Sequence, residues 1–290
     1  MKTVSLRKDL RVPRDPVIDG EDGAHVVADV VRRTRPPGRV IVVANEKGGV
    51  GKSTIAFHLA VALADAGLSI LALDLDRRQQ TLATVLRNRE ATARRLGIAM
   101  PMPRHLVLNV PSGAMLCQEI NRLGWGSDVI VIDVAGFDSG IARRAIALAD
   151  TLVTPVNSSF VDLDLLAKLN PVSFALEAPG AFTIAVTEIR EARRRAGVPD
   201  IDWIVAQNRI RRNSSQNQSR IERVITAIAP ELGFRTSSGL SDRVAYRELF
   251  LLGLSHLDLR RIPSMARARS HASQEILTLL TDLALVGAQA

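Results

Sequence analysis

Apolar and polar positions follow one another in blocks along the chain. Residues 39–45 (RVIVVAN), 69–76 (SILALDLD), 128–136 (DVIVIDVAG), 150–157 (DTLVTPVN), 181–188 (AFTIAVTE) and 202–210 (DWIVAQNRI) are short runs dominated by apolar residues, many of them β-branched. Continuous apolar runs of this length suit strands that are covered on both faces. Helical spacing fills most of the gaps, as in residues 53–66, which Gly67 closes. Repeated strand–helix units predict an α/β fold with a doubly wound, mostly parallel sheet flanked by helices. Ligands of such sheets sit beyond the carboxyl ends of the strands. Residues 1–37 break the pattern with mixed charges and Pro13, Pro16, Pro36 and Pro37. They read as an N-terminal extension, partly disordered or holding one short helix whose stripe is Val26, Val27, Val30 and Val31. Residues 38–290 then form the main domain, opened by the Pro36-Pro37-Gly38 break.

Composition adds constraints. The 290 residues are 47% hydrophobic, enough for a large core. A net charge of +8 makes a polyanionic partner plausible. Of 38 basic residues only Lys2, Lys8, Lys47, Lys52 and Lys168 are lysines. Arginine forks onto phosphate and suits a nucleic-acid surface, but a genomic bias toward arginine codons accounts for the imbalance equally well. Cys117 is the sole cysteine, which excludes an intrachain disulfide or thiolate metal cluster. The five histidines are scattered without ligand spacing. No apolar run reaches the roughly 18 residues of a membrane span, and the first residues lack an apolar signal core, so a cytoplasmic protein is expected.

Residues 46–54 carry the chemistry. Gly51-Lys52-Ser53 completes a phosphate-binding loop of the G-x-x-x-x-G-K-[ST] type, although Glu46 stands in the first glycine position. Gly48 and Gly49 let the backbone curl, with Val50 between them and Gly51, so that amides converge on phosphates. The helix that follows adds its positive end. Lys52 is placed to neutralise β- and γ-phosphates, Ser53 to ligate Mg²⁺, and Thr54 to touch the α-phosphate. Asp74 and Asp76 end one apolar run and Asp133 ends another. Asp133 is expected to hold Mg²⁺ through water with Asp74 behind it, and Asp76 to orient the attacking water. Positioning and charge neutralisation of this sort are what phosphoryl transfer needs.

KGGVGKST (47–54), DLDRRQ (74–79) and IDVAG (132–136) together resemble the deviant Walker A ATPases of the ParA/MinD group. Residues 44–59, 153–166, 202–209 and 241–259 narrow the resemblance to the MipZ division-site regulators within that group, over about residues 40–285. The resemblance implies a slow ATPase with ATP and Mg²⁺ as cofactors. It implies that Lys47 reaches across a homodimer to the partner's ATP, offsetting the repulsion between two facing nucleotides. Asn208 would read the adenine edge. The ATP-bound dimer would bind nonspecific DNA, interact with ParB, inhibit assembly of the tubulin-like FtsZ, and gather on the nucleoid and at cell poles through ParB. A ParA-type partition ATPase is the alternative.

The segment 208–224 offers Arg211, Arg212, Arg220 and Arg223 for DNA phosphates, of which Arg220 matches a DNA-binding arginine of the group. Two further such positions hold Gln216 and Ser241 here. Val134 and Ala135 also depart from the group, where Thr-Pro usually follows the acid. The basic cluster 190–197 reads as a solvated helix end. The apolar stripe of residues 273–286 reads as core packing, and no stable membrane anchoring is expected.

Overall fold

The computed structural model describes residues 22–110, 112–136, 139–157, 159–208, 216–241, 244–263 and 271–284. Its centre is a sheet of seven parallel strands: β1 (Arg39–Val43), β2 (Ile70–Asp74), β3 (Arg104–Val107), β4 (Val129–Asp133), β5 (Thr151–Asn157), β8 (Asp202–Asn208) and β9 (Arg235–Ser237), in the order β3-β2-β4-β1-β5-β8-β9. A separate antiparallel ribbon joins β6 (Ala167–Leu169) to β7 (Leu176–Pro179). The doubly wound, mostly parallel sheet expected from the pattern is therefore present.

Alternation along the strands divides the core into two layers. Val40 and Val42 of β1 pack on one face with helices α1 (Gly23–Val31), α4 (Gly113–Leu123), α5 (Gly140–Leu148), α7 (Ala181–Arg195) and α8 (Gln216–Leu232). Ile41 and Val43 pack on the other with α2 (Lys52–Asp65), α3 (Thr81–Leu96), α9 (Val244–Leu251) and α10 (His271–Asp282). Burial on both faces is why the strand sequences lack polar alternation. Val26, Val27 and Val30 are buried and pack α1 on the body, against α5 and α7, whereas Val31, the last residue of the expected stripe, is 46% exposed. Ile276, Leu279, Leu280 and Leu283 are buried as well, the core use expected for the C-terminal stripe.

Two expectations need correction. Residues 181–188 are the first half of α7, not a strand. Phe182, Val186, Ile189 and Arg193 are buried at intervals of three and four, which is helical; a window ending at Glu188 cuts that period in half. The cluster 190–197 is also more than a solvated helix end. Arg193 is fully buried and donates to the carbonyls of Ala147, Ala149 and Pro199, closing the last turn of α5. Arg190 pairs with Asp200 at 2.8 Å. Edge strands β3 and β9 fall outside the apolar runs because their sequences, RHLV and RTS, are short and partly exposed.

Strand register builds the site. Val43, Asp133 and Asp74 end three adjacent strands level with one another. The chain leaving β1 thus turns over two carboxylates before entering α2.

Candidate nucleotide site

The turn between β1 and α2 depends on a few backbone choices. Gly49 and Gly51 adopt φ of +75° and +92°, the left-handed region that other residues avoid. At Gly51 a Cβ would also lie 2.0 Å from Asn208 Nδ2. Asn45 is buried and holds the start of the turn: its Oδ1 accepts from the Lys47 amide at 2.9 Å, and its Nδ2 donates to Pro155 O at 2.8 Å. Lys52 Nζ folds back onto the loop and donates to Lys47 O at 2.8 Å. Burial lowers the pKa of Lys52, while Asp133 and Asp76 nearby act to raise it. Gly136 closes the far side, for a Cβ there would sit 3.0 Å from Lys52 Nζ and 3.3 Å from the Gly48 backbone. Ser53 and Thr54 open α2, as the loop pattern requires.

The acids differ in what they do. Asp133 is 2% exposed, and its Oδ1 has no hydrogen-bond partner among the described residues. Burial pushes its pKa up to about 8, with Ser53 acting to lower it. Asp74 is buried but satisfied, accepting from the amides of Asp76 at 2.9 Å and Ala83 at 3.0 Å. Its pKa is raised by burial, with those amides pulling it down. Asp76 lies farther out, and its Oδ1 accepts from the amides of Arg78 and Gln79 at 3.1 and 3.0 Å. It therefore shapes its own loop while standing close enough to act on Lys52.

Lys47 does not bend toward its own loop. Its ammonium pairs with the carboxylate of Asp162, on the short helix α6 (Phe160–Leu163) that follows β5. Asn208, expected at the adenine edge, is buried under the loop and donates to Val50 O at 2.7 Å. In this structure its amide group clamps the phosphate loop to β8. Of the DNA candidates, Arg211 and Arg212 lie outside the described residues. Arg220 and Arg223 are exposed on α8. The Arg220 guanidinium rests 4.6 Å over the Phe174 ring of the β6–β7 turn, and Arg223 Nε donates to Ser219 O within its own helix.

Asp162, Asn45 and Gly136 are the site residues that sequence reasoning passed over. Asn45 carried a local signal, a turn-forming side chain at a strand end. Asp162 is 115 residues from Lys47 and Gly136 more than 80 from the loop it touches, so only the fold joins them.

A family model described as ATPase MipZ matches residues 39–287. The chain is 28% identical over 130 residues to protein ParA of Rhizobium radiobacter, covering 44% of this chain and 53% of that protein. It is 30% identical over 159 residues to the chromosome-partitioning ATPase Soj of Thermus thermophilus, covering 48% and 64%. The chain thus spans between about half and two thirds of the length of these relatives. Among solved structures, an ATP complex of a Cyanothece McdA variant superposes with a TM-score of 0.59 at 16% identity, over 87% of this chain and 98% of that one. At that identity the likeness is one of fold.

Proposed function

Because the chain belongs to the MipZ family of ParA/MinD-type ATPases, we infer that it is a slow ATP hydrolase whose nucleotide state sets a monomer–dimer switch. The observation that carries this reading is the phosphate loop: its left-handed glycines and the folded-over Lys52 lie directly above a buried carboxylate with one oxygen to spare. That oxygen, beside Ser53, fits Mg²⁺ reached directly or through water, whose role when bound is to neutralise charge on the β- and γ-phosphates. A homologous fold from Pyrococcus horikoshii is known as a Mg-ADP complex.

The chain's own groups do the rest. Loop amides and Lys52 hold the phosphates, Ser53 and Asp133 hold the ion's side of the site, and Asp74 braces the loop that carries Asp76. Asp76 turns outward from that loop to orient water. Lys47, held by Asp162 in the single chain, is released to a facing nucleotide when two loaded copies meet. Two lysines given in trans make pairing conditional on ATP. Pairing also doubles the basic edge of α8, so residence on DNA follows the nucleotide. The cargo reading is division-site positioning, with ParB recruiting the protein and FtsZ filaments restrained by the ATP-bound dimer.

The decisive test is sizing of Lys47→Ala with ATP: nucleotide binds, yet the protein stays monomeric. An ATP-dependent dimer that survives the substitution refutes the switch. Kinship with proteins called ParA and Soj keeps a second reading, chromosome or plasmid partition. ATP-loaded protein that leaves purified FtsZ filaments unchanged favours partition.

A further inference from the structure

Behind the nucleotide loops lies a cleft of about 940 Å³, lined by α1, by the first turns of α4 and α5, and by the residues that follow β2 and β4. No residue of the phosphate loop 46–54 lines it, and it meets the nucleotide site only through the loops that carry Asp76 and Ala135. Its outer wall is α1, which lies before the family-matched residues 39–287. This volume is typical of small-molecule sites.

Among the described residues the lining is cationic: Arg33, Arg77, Arg78 and Arg144, with His25, stand with the carboxylates of Asp29 and Asp76. Asp29 is already committed: it accepts from Arg33 at 2.9 Å and from Arg144 at 2.9 Å. Asp76 is committed to loop amides. Arg77 and Arg78 have no side-chain hydrogen bond or ion pair with any described residue. Arg144 is built into the wall, for it lies across Gly113, where a Cβ would sit 1.6 Å from its Cδ. Leu75, Val134 and Ile141 supply an apolar floor between these charges.

We propose that this cleft binds a small phosphorylated molecule carrying at least two negative charges. Guanidinium forks match phosphate oxygens, and two adjacent unneutralised arginines at the mouth call for more than one charge. The apolar floor accepts a compact ring or alkyl body beside the phosphates. Asp76 and Ala135 belong both to this wall and to the loops framing the γ-phosphate side. An occupant therefore touches those loops from behind and couples its presence to the ATPase cycle. The inference does not depend on what cargo the ATPase serves.

Inorganic pyrophosphate is the probe. It is titrated calorimetrically, at low ionic strength, into full-length protein already saturated with Mg²⁺ and either ADP or the nonhydrolysable analogue AMPPNP. The expected result is one saturable uptake per chain in at least one nucleotide state, with nucleotide retained. Arg33→Ala/Arg78→Ala is expected to weaken it at least tenfold while nucleotide binding and the circular dichroism spectrum stay as in the wild type. Pyrophosphate that only displaces nucleotide belongs to the phosphate loop and overturns the proposal. Uptake absent from both nucleotide states, or equal in the double variant, overturns it too. Loss of nucleotide binding in the unaltered protein would instead strike the ATPase reading.

Discussion

Asp133 and Asp258 are almost equally buried, at 2% and 1% exposed, and their surroundings are opposite. Asp258 lies on the short 3₁₀ turn His256–Arg261, where Arg89 of α3 grips it with two nitrogens at 2.6 and 2.7 Å and the Ser255 amide donates at 2.7 Å. Arg89 also donates to Pro101 O and Gly253 O, at 2.8 and 3.1 Å. Both carboxylate oxygens of Asp258 are therefore paired from within the chain. Asp133 has an oxygen, Oδ1, with no partner among the described residues. A saturated buried carboxylate holds a fold together. One left short, at the end of a strand beneath a glycine-rich turn, is held at a cost that binding can repay.

The largest effect expected from this contrast is on stability. Arg89→Ala leaves Asp258 buried and uncompensated, which costs about 3–5 kcal/mol. Urea unfolding should show it as a lowered midpoint with little change in slope. A loss below about 1 kcal/mol would mean that the pair is not the anchor described here. The counterpart is Asp133→Asn. It should lower Mg²⁺-dependent ATP hydrolysis at least about 100-fold, while the nucleotide-free protein at pH 7 becomes more stable. The sign follows from burial: a carboxyl whose pKa rises to about 8 must take up a proton on folding at pH 7, and the amide need not. Below about pH 4 the carboxyl is protonated in both states and that gain disappears. Equal destabilisation by both substitutions would erase the distinction between the two sites.

The same contrast explains what could be read from the sequence. Strands β1, β2, β4, β5 and β8 stand out because each is an uninterrupted apolar run, and the phosphate loop because its glycines and lysine are contiguous. Asp74 and Asp133 follow, since a carboxylate ending such a run has one place to go in a parallel sheet. What escaped was set by distance or by half-exposure. The Lys47–Asp162 pair, the Asn208 clamp on Val50 and the fit of Gly136 against Lys52 join residues brought together only by strand order. The Arg89–Asp258 anchor spans 169 positions and left no local mark. Helix α7 was misread because its first residues are as apolar as a strand, and its period emerges only when Ile189 and Arg193 are counted.

The smallest expected effect tests how firmly the pocket around Arg89 refuses further charge. His58 is fully buried near Arg89, its Nδ1 3.3 Å from Ser255 Oγ, with Phe57 and Tyr246 edge-on to its ring. Burial, reinforced by His256 and Arg89, pushes its pKa down to about 3. Above about pH 6.5 neither the folded nor the unfolded chain protonates it, and it has no effect on stability. As pH falls from there toward 3, the unfolded chain takes up a proton that the fold declines. Stability should therefore drop by up to about 1.4 kcal/mol per pH unit, levelling off below 3. Urea midpoints at pH 7, 6 and 5 for wild type and His58→Gln isolate this contribution, because every other titrating group is common to both. Wild type should lose stability more steeply below pH 6.5, and parallel curves would show that this pocket admits a proton after all.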